Sequence, residues 1–141
     1  MRRHLLLGLA LVLSAAACDT APDASGPLGG RYALTLYENG EVVATGHLDL
    51  QIDPERIYPP SVSGDWRLDA TDESRIYGSG GRLRGSFEEP GVQLSLLVGD
   101  DDAPVLDAGV GLDGVVDGDV IRGEWGEGMS DGPSGSFVAR R

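Results

Sequence analysis

The chain offers few residues that could perform catalysis, although it is rich in carboxylates. Its two histidines are His4 and His47. His47 falls on the polar face of an alternating segment, where we expect a solvated surface residue rather than the base of a serine or cysteine triad. The glycine-rich stretch at 78–81 lacks the lysine of a phosphate-binding loop, and no lysine occurs anywhere in the chain. Carboxylate pairs such as Asp117 and Asp119 arise by chance among 23 acidic residues. We therefore expect a protein that is not an enzyme.

The densest run of carboxylates is Asp100, Asp101 and Asp102, followed by Asp107. Calcium binds several oxygen ligands in a loop, so these four side chains are candidates for a calcium site. The run lacks the glycine at the sixth place and the glutamate at the twelfth place of an EF-hand loop. A solvated acidic loop between two strands explains the same residues. We favour the solvated loop and expect no metal.

The N-terminal segment has the composition of a secretion signal. Arg2 and Arg3 precede an apolar run at 5–13, far shorter than the roughly 20 residues that a membrane-spanning helix needs. Small residues at 14–17 then lead to Cys18, the single cysteine of the chain. One cysteine cannot form an internal disulfide, and a free thiol is a liability in an oxidising compartment.

The stretch from Ser14 through three alanines to Cys18 resembles the lipobox of bacterial lipoproteins, with Ala15 where that family prefers leucine. The resemblance implies that residues 1–17 are a removed signal peptide and that Cys18 becomes the first mature residue, carrying covalent lipid such as palmitate. In enteric bacteria an aspartate after the cysteine retains the protein in the inner membrane, and Asp19 holds that place. The rule varies among bacteria, so the inner and the outer membrane both stay open. The alternative is an ordinary secretion signal cut near Ala17.

The expected lipid indicates where the protein resides. The lipoprotein resemblance implies three acyl chains, on the sulfur and the new N-terminus of Cys18, which exceed the two membrane signals that stable anchoring requires. We therefore expect a membrane-tethered protein of the bacterial cell envelope with no cofactor beyond the lipid. Residues 18–29 are rich in Pro, Ser, Gly and Ala, which is typical of a flexible tether.

Removing residues 1–17 leaves nine arginines against 23 acids, a net side-chain charge of −14. This charge repels phosphate backbones, so no nucleic-acid partner is expected.

Residues 30–141 are expected to form one domain. Apolar and polar residues alternate there, as in strands that have one face in water. Turn-forming residues interrupt the alternation often enough to divide the segment into eight strands. Short connections predict an antiparallel up-and-down meander, and closure into a barrel would remove its exposed edges. We therefore predict an all-β fold, a small eight-stranded barrel whose interior is either filled or open to one small ligand.

The first hairpin turn, at Asn39-Gly40, constrains the register. A plain two-residue turn would pair Leu36 with Val43, which places Leu36 on the polar face. We therefore predict a three-residue loop with Gly40 left-handed, followed by a bulge. This loop pairs Leu36 with Val42 and keeps both inside.

A second hairpin turn is expected at Asp117-Gly118. A two-residue turn there pairs Val116 with Asp119. The same register places Asp113 opposite Arg122 and predicts an ion pair between them.

The opening and the closing of this domain resemble the calycin group, which comprises lipocalins, fatty-acid-binding proteins and avidins. Gly30-Arg31-Tyr32 stands where those families have Gly-x-Trp in the first strand. In the family an arginine of the last strand stacks on that tryptophan, and Arg140 or Arg141 ends the last strand here. The resemblance implies a calycin-like, lipocalin-like barrel over most of residues 30–141. Tyrosine replaces the tryptophan and the biotin-contacting motifs of avidins are absent, so no ligand is implied.

Five aromatic residues are expected on the inner face of the barrel. Two of them end similar triplets, Gly64-Asp65-Trp66 and Gly123-Glu124-Trp125. The aromatic set either lines a site for a small apolar ligand or fills the core. Its members are Tyr32, Trp66, Phe87, Trp125 and Phe137.

Two functions of different kinds fit these features. The first is a non-enzymatic, lipid-anchored interaction module, such as an envelope assembly factor or an inhibitor, with a protein partner. The second is a small apolar-ligand binding protein that uses the barrel interior. A cavity above roughly 300 Å³ between the two tryptophans would favour the second. We expect the first.

Overall fold

The computed structural model describes residues 28–53, 61–71, 79–98, 109–127 and 132–141. Each strand pairs antiparallel with the strand before it, and the last pairs with the first, so the sheet closes into a barrel. The predicted all-β meander of eight strands closing into a barrel is confirmed. The strands are β1 Gly30–Glu38, β2 Glu41–Asp53, β3 Ser61–Thr71, β4 Gly80–Glu88, β5 Gly91–Leu97, β6 Gly109–Asp117, β7 Val120–Glu127 and β8 Ser134–Arg140.

Side-chain alternation divides the barrel into an apolar inside and a polar outside. Along β5, Val92, Leu94 and Leu96 are buried, whereas Gln93 and Ser95 between them are exposed. The other strands alternate in the same way, so the hydrophobic core lies inside the barrel. No polar or charged residue of the described ranges is buried. Each large aliphatic side chain removed from water contributes about 1.5–3 kcal/mol. Closure pairs the strands that would otherwise be edges, so the core needs no covering helix.

The two ends of the barrel differ. At one end, which we call the capped end, lie Leu28, the turns at 89–90 and 118–119, and Arg141. At the opposite end lie the turn at 39–40 and the carboxyl ends of β3, β5 and β7. Leu28 belongs by composition to the expected tether, yet it is fully buried at the capped end.

The predicted loop between β1 and β2 is wrong in length, although Gly40 is left-handed as expected. Asn39 (φ 52°) and Gly40 (φ 84°) form a two-residue turn with two positive φ angles, as in type I′. A bulge follows at once, because Tyr37 pairs with Val42 while Leu36 pairs with Ala44. The extra residue restores the inward direction of Leu36 and Ala44, and Val42 is left outside with 56% of its surface exposed. The expected pairing of Leu36 with Val42, and the inward position of Val42, are therefore wrong.

The predicted register of the β6–β7 hairpin is also wrong, by two residues. Gly118 and Asp119 are the central residues, and Asp117 pairs with Val120. Of the two central residues, Gly118 alone has a positive φ angle (58°). A type II′ turn has this pattern, with a positive φ angle at its first central residue. Asp113 consequently faces Glu124, and the expected ion pair with Arg122 is absent from this register. A shift of two residues keeps every side chain on its face, so alternation could not distinguish the two registers.

Candidate functional site

The five aromatic candidates all lie inside the barrel, on the face that the alternation predicts. Their side chains are almost completely removed from solvent. The exposed fractions are 0% for Tyr32, 2% for Trp66, 7% for Phe87, 2% for Trp125 and 1% for Phe137.

Tyr32 organises the capped end. Its hydroxyl donates a hydrogen bond to the carbonyl oxygen of Leu28 (3.1 Å) and accepts one from Nη2 of Arg141 (2.6 Å). The guanidinium carbon of Arg141 also lies 5.1 Å from the centroid of the Tyr32 ring, within the range of a cation–π contact. The hydrogen bond from Arg141 to Tyr32 is the main cause that raises the pKa of the guanidinium.

Arg141 also ties the chain end to the β6–β7 turn. Its backbone N–H donates to the carbonyl oxygen of Asp119 (2.9 Å), and its Nε lies 3.7 Å from the Asp119 carboxylate. Arg141, rather than Arg140, is thus the arginine that stacks on the first strand. Three separate parts of the chain meet at this cap.

Trp66 connects three strands near the opposite end. It projects from β3, and its indole Nε1 donates a hydrogen bond to the carbonyl oxygen of Leu97 on β5 (3.0 Å). The intervening strand, β4, places Gly81 in register with Trp66. A Cβ atom at Gly81 would overlap the Leu97 carbonyl oxygen and would lie 3.3 Å from the indole nitrogen. The indole can therefore reach β5 because the residue between them has no side chain.

The same arrangement recurs four strands later. Trp125 of β7 donates through Nε1 to the carbonyl oxygen of Tyr37 on β1 (2.9 Å). The intervening strand, β8, places Gly135 in register with Trp125. A Cβ atom at Gly135 would overlap the Tyr37 carbonyl oxygen and would lie 2.9 Å from the indole nitrogen. We call each set of tryptophan, glycine and carbonyl an indole lock.

The first glycine of each Gly-acid-Trp triplet also has a matching role. A Cβ atom at Gly64 would overlap the carbonyl oxygen of Asp49 on the preceding strand, and one at Gly123 would overlap that of Asp113. The two triplets were visible in the sequence, but the glycines that complete the locks on β4 and β8 were not identified. Each of these glycines lies on the strand that follows its triplet, so a comparison of those two strands with each other would identify both glycines. The barrel therefore repeats one packing unit every four strands.

These contacts use the polar atoms of the aromatic set. Both indole N–H groups and the Tyr32 hydroxyl are bonded to the protein. The ring of Phe137 packs tightly on Gly114, since a Cβ atom there would lie 2.8 Å from the ring. Small-molecule sites usually include a few polar groups that orient the ligand, and these three polar groups are already bonded within the barrel. The geometry of these side chains is that of a packed core.

A groove of about 500 Å³ lies on the outer wall, across β5, β6 and β7. The glycines at its floor, Gly111 and Gly126, are paired across the two strands. Asp113 and Glu124 face each other beside them, and Gln93 donates a hydrogen bond to Asp113 (3.3 Å). Two carboxylates directly opposite each other repel, so this part of the wall has a negative potential.

The matching carboxylates on the other half of the barrel are accompanied by arginines. Asp49 and Asp65 also face each other, but Arg31 lies 3.4 Å from Asp49 and Arg82 lies 3.8 Å from Asp65. All four side chains are more than two fifths exposed, so each pair contributes at most about 1 kcal/mol. Charge therefore differs between two halves that share one packing unit.

The remaining candidates show no catalytic arrangement within the described ranges. Nε2 of His47 lies 3.7 Å from Asp49, on the outer face. Among residues 28–53, 61–71, 79–98, 109–127 and 132–141, no three His, Cys, Asp or Glu side chains are close enough to hold a metal ion. None of these described residues belongs to a helix long and apolar enough to cross a membrane.

Several predicted residues lie outside the described ranges. These are the signal peptide at 1–17, the lipidation candidate Cys18, most of the tether, and the calcium candidates Asp100, Asp101, Asp102 and Asp107.

Comparisons of the chain with protein-family models, with curated proteins and with solved structures found no match.

Proposed function

We propose that the protein is a non-enzymatic lipoprotein of the bacterial cell envelope whose barrel serves as an interaction module of the assembly-factor or inhibitor type. The observation that carries this proposal is the use of the barrel interior. Trp66 and Trp125 direct their N–H groups to backbone carbonyls of the barrel itself. A core held in this way leaves the outer wall and the ends as the surfaces for a partner.

The anchor is proposed from the N-terminal sequence. Basic residues, a short apolar run and small residues before Cys18 are the features of a lipoprotein signal. Lipid on Cys18 would hold the barrel on a membrane, inner or outer, through residues 19–27.

The finer fold assignment is likewise a proposal. A calycin-like barrel has an arginine of the last strand stacked on the aromatic residue of Gly-x-Trp. Arg141 lies over the ring of Tyr32 at 5.1 Å, and Tyr32 is the third residue of Gly30-Arg31-Tyr32. The arrangement supports the resemblance with tyrosine in place of tryptophan.

The alternative function is a small apolar ligand held in the barrel. Such a ligand would need to displace side chains such as Trp66, Trp125 or Phe137, each at most 2% exposed. Displacement would break two indole hydrogen bonds, which together contribute about 1–3 kcal/mol. The interaction module is therefore the function that the geometry supports better.

The anchor is tested by replacing the thiol. In cells, Cys18→Ser is expected to abolish incorporation of labelled palmitate and the lipid mass on the mature N-terminus. Thr20→Ser is the matched control and should keep both. Unchanged labelling and processing of Cys18→Ser would show that the protein is not a lipoprotein of this type.

The use of the interior is tested by native mass spectrometry on protein purified from its own cells, with the tether cut. The expected result is the bare mass of the domain. A stoichiometric small adduct that is lost on denaturation would instead support the ligand-binding alternative and would identify the ligand.

A further inference from the structure

The position of Leu28 shows where the tether leaves the barrel. Leu28 is fully buried, and its carbonyl oxygen accepts the hydrogen bond of Tyr32. The chain is therefore fixed to the capped end immediately before β1. Residues 19–27 are the nine residues between this point and Cys18.

The length of that segment limits how the barrel can stand on a membrane. Nine residues span at most about 30 Å when fully extended. β1 has nine residues, and at about 3.3 Å per residue with a tilt near 40° the barrel is about 20–25 Å tall. Turning the opposite end toward the membrane would raise the capped end by that height. The segment would then be stretched to about three quarters of its full length, which is entropically unfavourable.

The charge of the described turns does not favour the opposite end over the capped end as the face toward the membrane. The mature chain carries 23 acids against nine arginines. Among the described residues, Glu88, Glu89, Asp117 and Asp119 lie at the turns of the capped end with Arg140 and Arg141, and Glu38 and Glu41 flank the turn at the opposite end. The described turns of both ends therefore carry a net negative charge, which an anionic bilayer repels. Between the two ends, the tether then determines the orientation.

We infer that the capped end faces the membrane and that the opposite end, with the turn at 39–40, points away from it. This inference rests on the proposed lipid anchor at Cys18. It adds to that proposal the orientation of the barrel relative to the membrane.

Two single-cysteine labels can measure the direction. In the lipidated protein the sulfur of Cys18 is occupied, so an introduced cysteine is the one free thiol. Asp117→Cys marks the capped end and Glu41→Cys marks the opposite end. The substitutions are matched, because each replaces one exposed carboxylate beside a two-residue turn. Both lipidated variants are labelled with the same fluorophore and placed in phosphatidylcholine–phosphatidylglycerol vesicles that contain a headgroup quencher.

The label at position 117 is expected to be quenched at least about twofold more than the label at position 41, because the height of the barrel separates them. A second pair, Glu89→Cys and Val42→Cys, should repeat the difference and guards against a misfolded variant. Equal quenching, or stronger quenching at position 41, in protein that floats with the vesicles would overturn the orientation and leave the anchor intact. Protein that carries no lipid and does not float would overturn both.

Discussion

Tyr32 brings together three distant parts of the chain. Its ring lies under Arg141, its hydroxyl bridges Arg141 and Leu28, and Arg141 in turn contacts Asp119. The neighbouring Arg140 pairs with Ala33 and Val120 as the last residue of β8. These adjacent arginines carry the same charge but make different contacts. Comparing their separate replacement therefore distinguishes the effect of the charge from the effect of the contacts.

Arg141→Ala is expected to lower the free energy of unfolding by about 1 kcal/mol, because it removes a hydrogen bond and a partly exposed cation–π contact. Urea denaturation followed by tryptophan fluorescence measures the change. Arg140→Ala is the control and should cost less than about 0.5 kcal/mol. Equal losses for the two variants would show that the cap contributes only its charge.

The raised pKa of Arg141 has a defined consequence for pH dependence. A group whose pKa is higher in the folded protein stabilises the fold below its unfolded pKa, and the stabilisation is lost as the pH rises through the folded value. Both pKa values lie above the pH range in which the protein would be studied, since a guanidinium is already a very weak acid and the Tyr32 hydrogen bond raises its pKa further. The contribution of the cap is therefore constant at ordinary pH.

The indole locks explain why β4 and β8 need glycine where other strands have side chains. Gly81 and Gly135 each leave the gap through which an indole reaches the second strand along. Gly111 on β6 is different, since a Cβ atom there would approach no atom closer than 3.8 Å. Glycine is required by close approach at the first two positions and not at the third.

Gly81→Ala and Gly135→Ala are each expected to destabilise the protein by more than about 3 kcal/mol, because the added methyl group would overlap a backbone carbonyl. Gly111→Ala should be neutral or stabilising by up to about 1 kcal/mol, since it only restricts the unfolded chain. Thermal and urea denaturation of the three variants provide the comparison. If Gly135→Ala were as stable as Gly111→Ala, the lock on β8 would be incorrect.

The hairpins show which part of a register a sequence pattern can specify. Alternation places Leu36, Ala44 and Ile121 on the inner face, but it specifies pairing only to within two residues. At the β6–β7 turn the backbone conformation of Gly118 selects between the registers. At the β1–β2 turn a bulge adds one residue and reverses the expected parity for Val42.

At the scale of the whole molecule, the core of the described residues extends beyond the strands to Leu28, two residues before β1. Leu28 packs into the core across the capped end, and its carbonyl oxygen fixes the Tyr32 hydroxyl. Truncations on either side of Leu28 should differ in stability.

A chain that starts at Pro27 is expected to unfold like the mature protein, within about 0.5 kcal/mol. A chain that starts at Gly29 should lose about 2–4 kcal/mol, because it lacks one buried leucine and leaves the Tyr32 hydroxyl without its acceptor. Leu28→Met in the longer chain is the control and should cost less than about 1.5 kcal/mol. Equal stability of the two truncations would place Leu28 outside the folded unit.

Much of this architecture follows from local sequence. The period of two predicts eight strands and their inner faces, because successive side chains of a strand point to opposite sides. It also predicts that Tyr32, Trp66, Phe87, Trp125 and Phe137 point inward, and all five are buried. The expected stacking of a terminal arginine on the first strand came from the calycin resemblance.

Other features depend on contacts between residues far apart in the chain. Trp66 and Leu97 are 31 residues apart, and Trp125 and Tyr37 are 88 apart, so no local pattern reports their hydrogen bonds. The need for glycine at positions 81 and 135, the burial of Leu28, and the choice of Arg141 over Arg140 likewise arise only when closed strands bring distant atoms together. Sequence alone determined the strands and the direction of their side chains, because those depend on neighbouring residues. Tertiary structure decided the registers, the locks and the cap, because they depend on how the barrel closes.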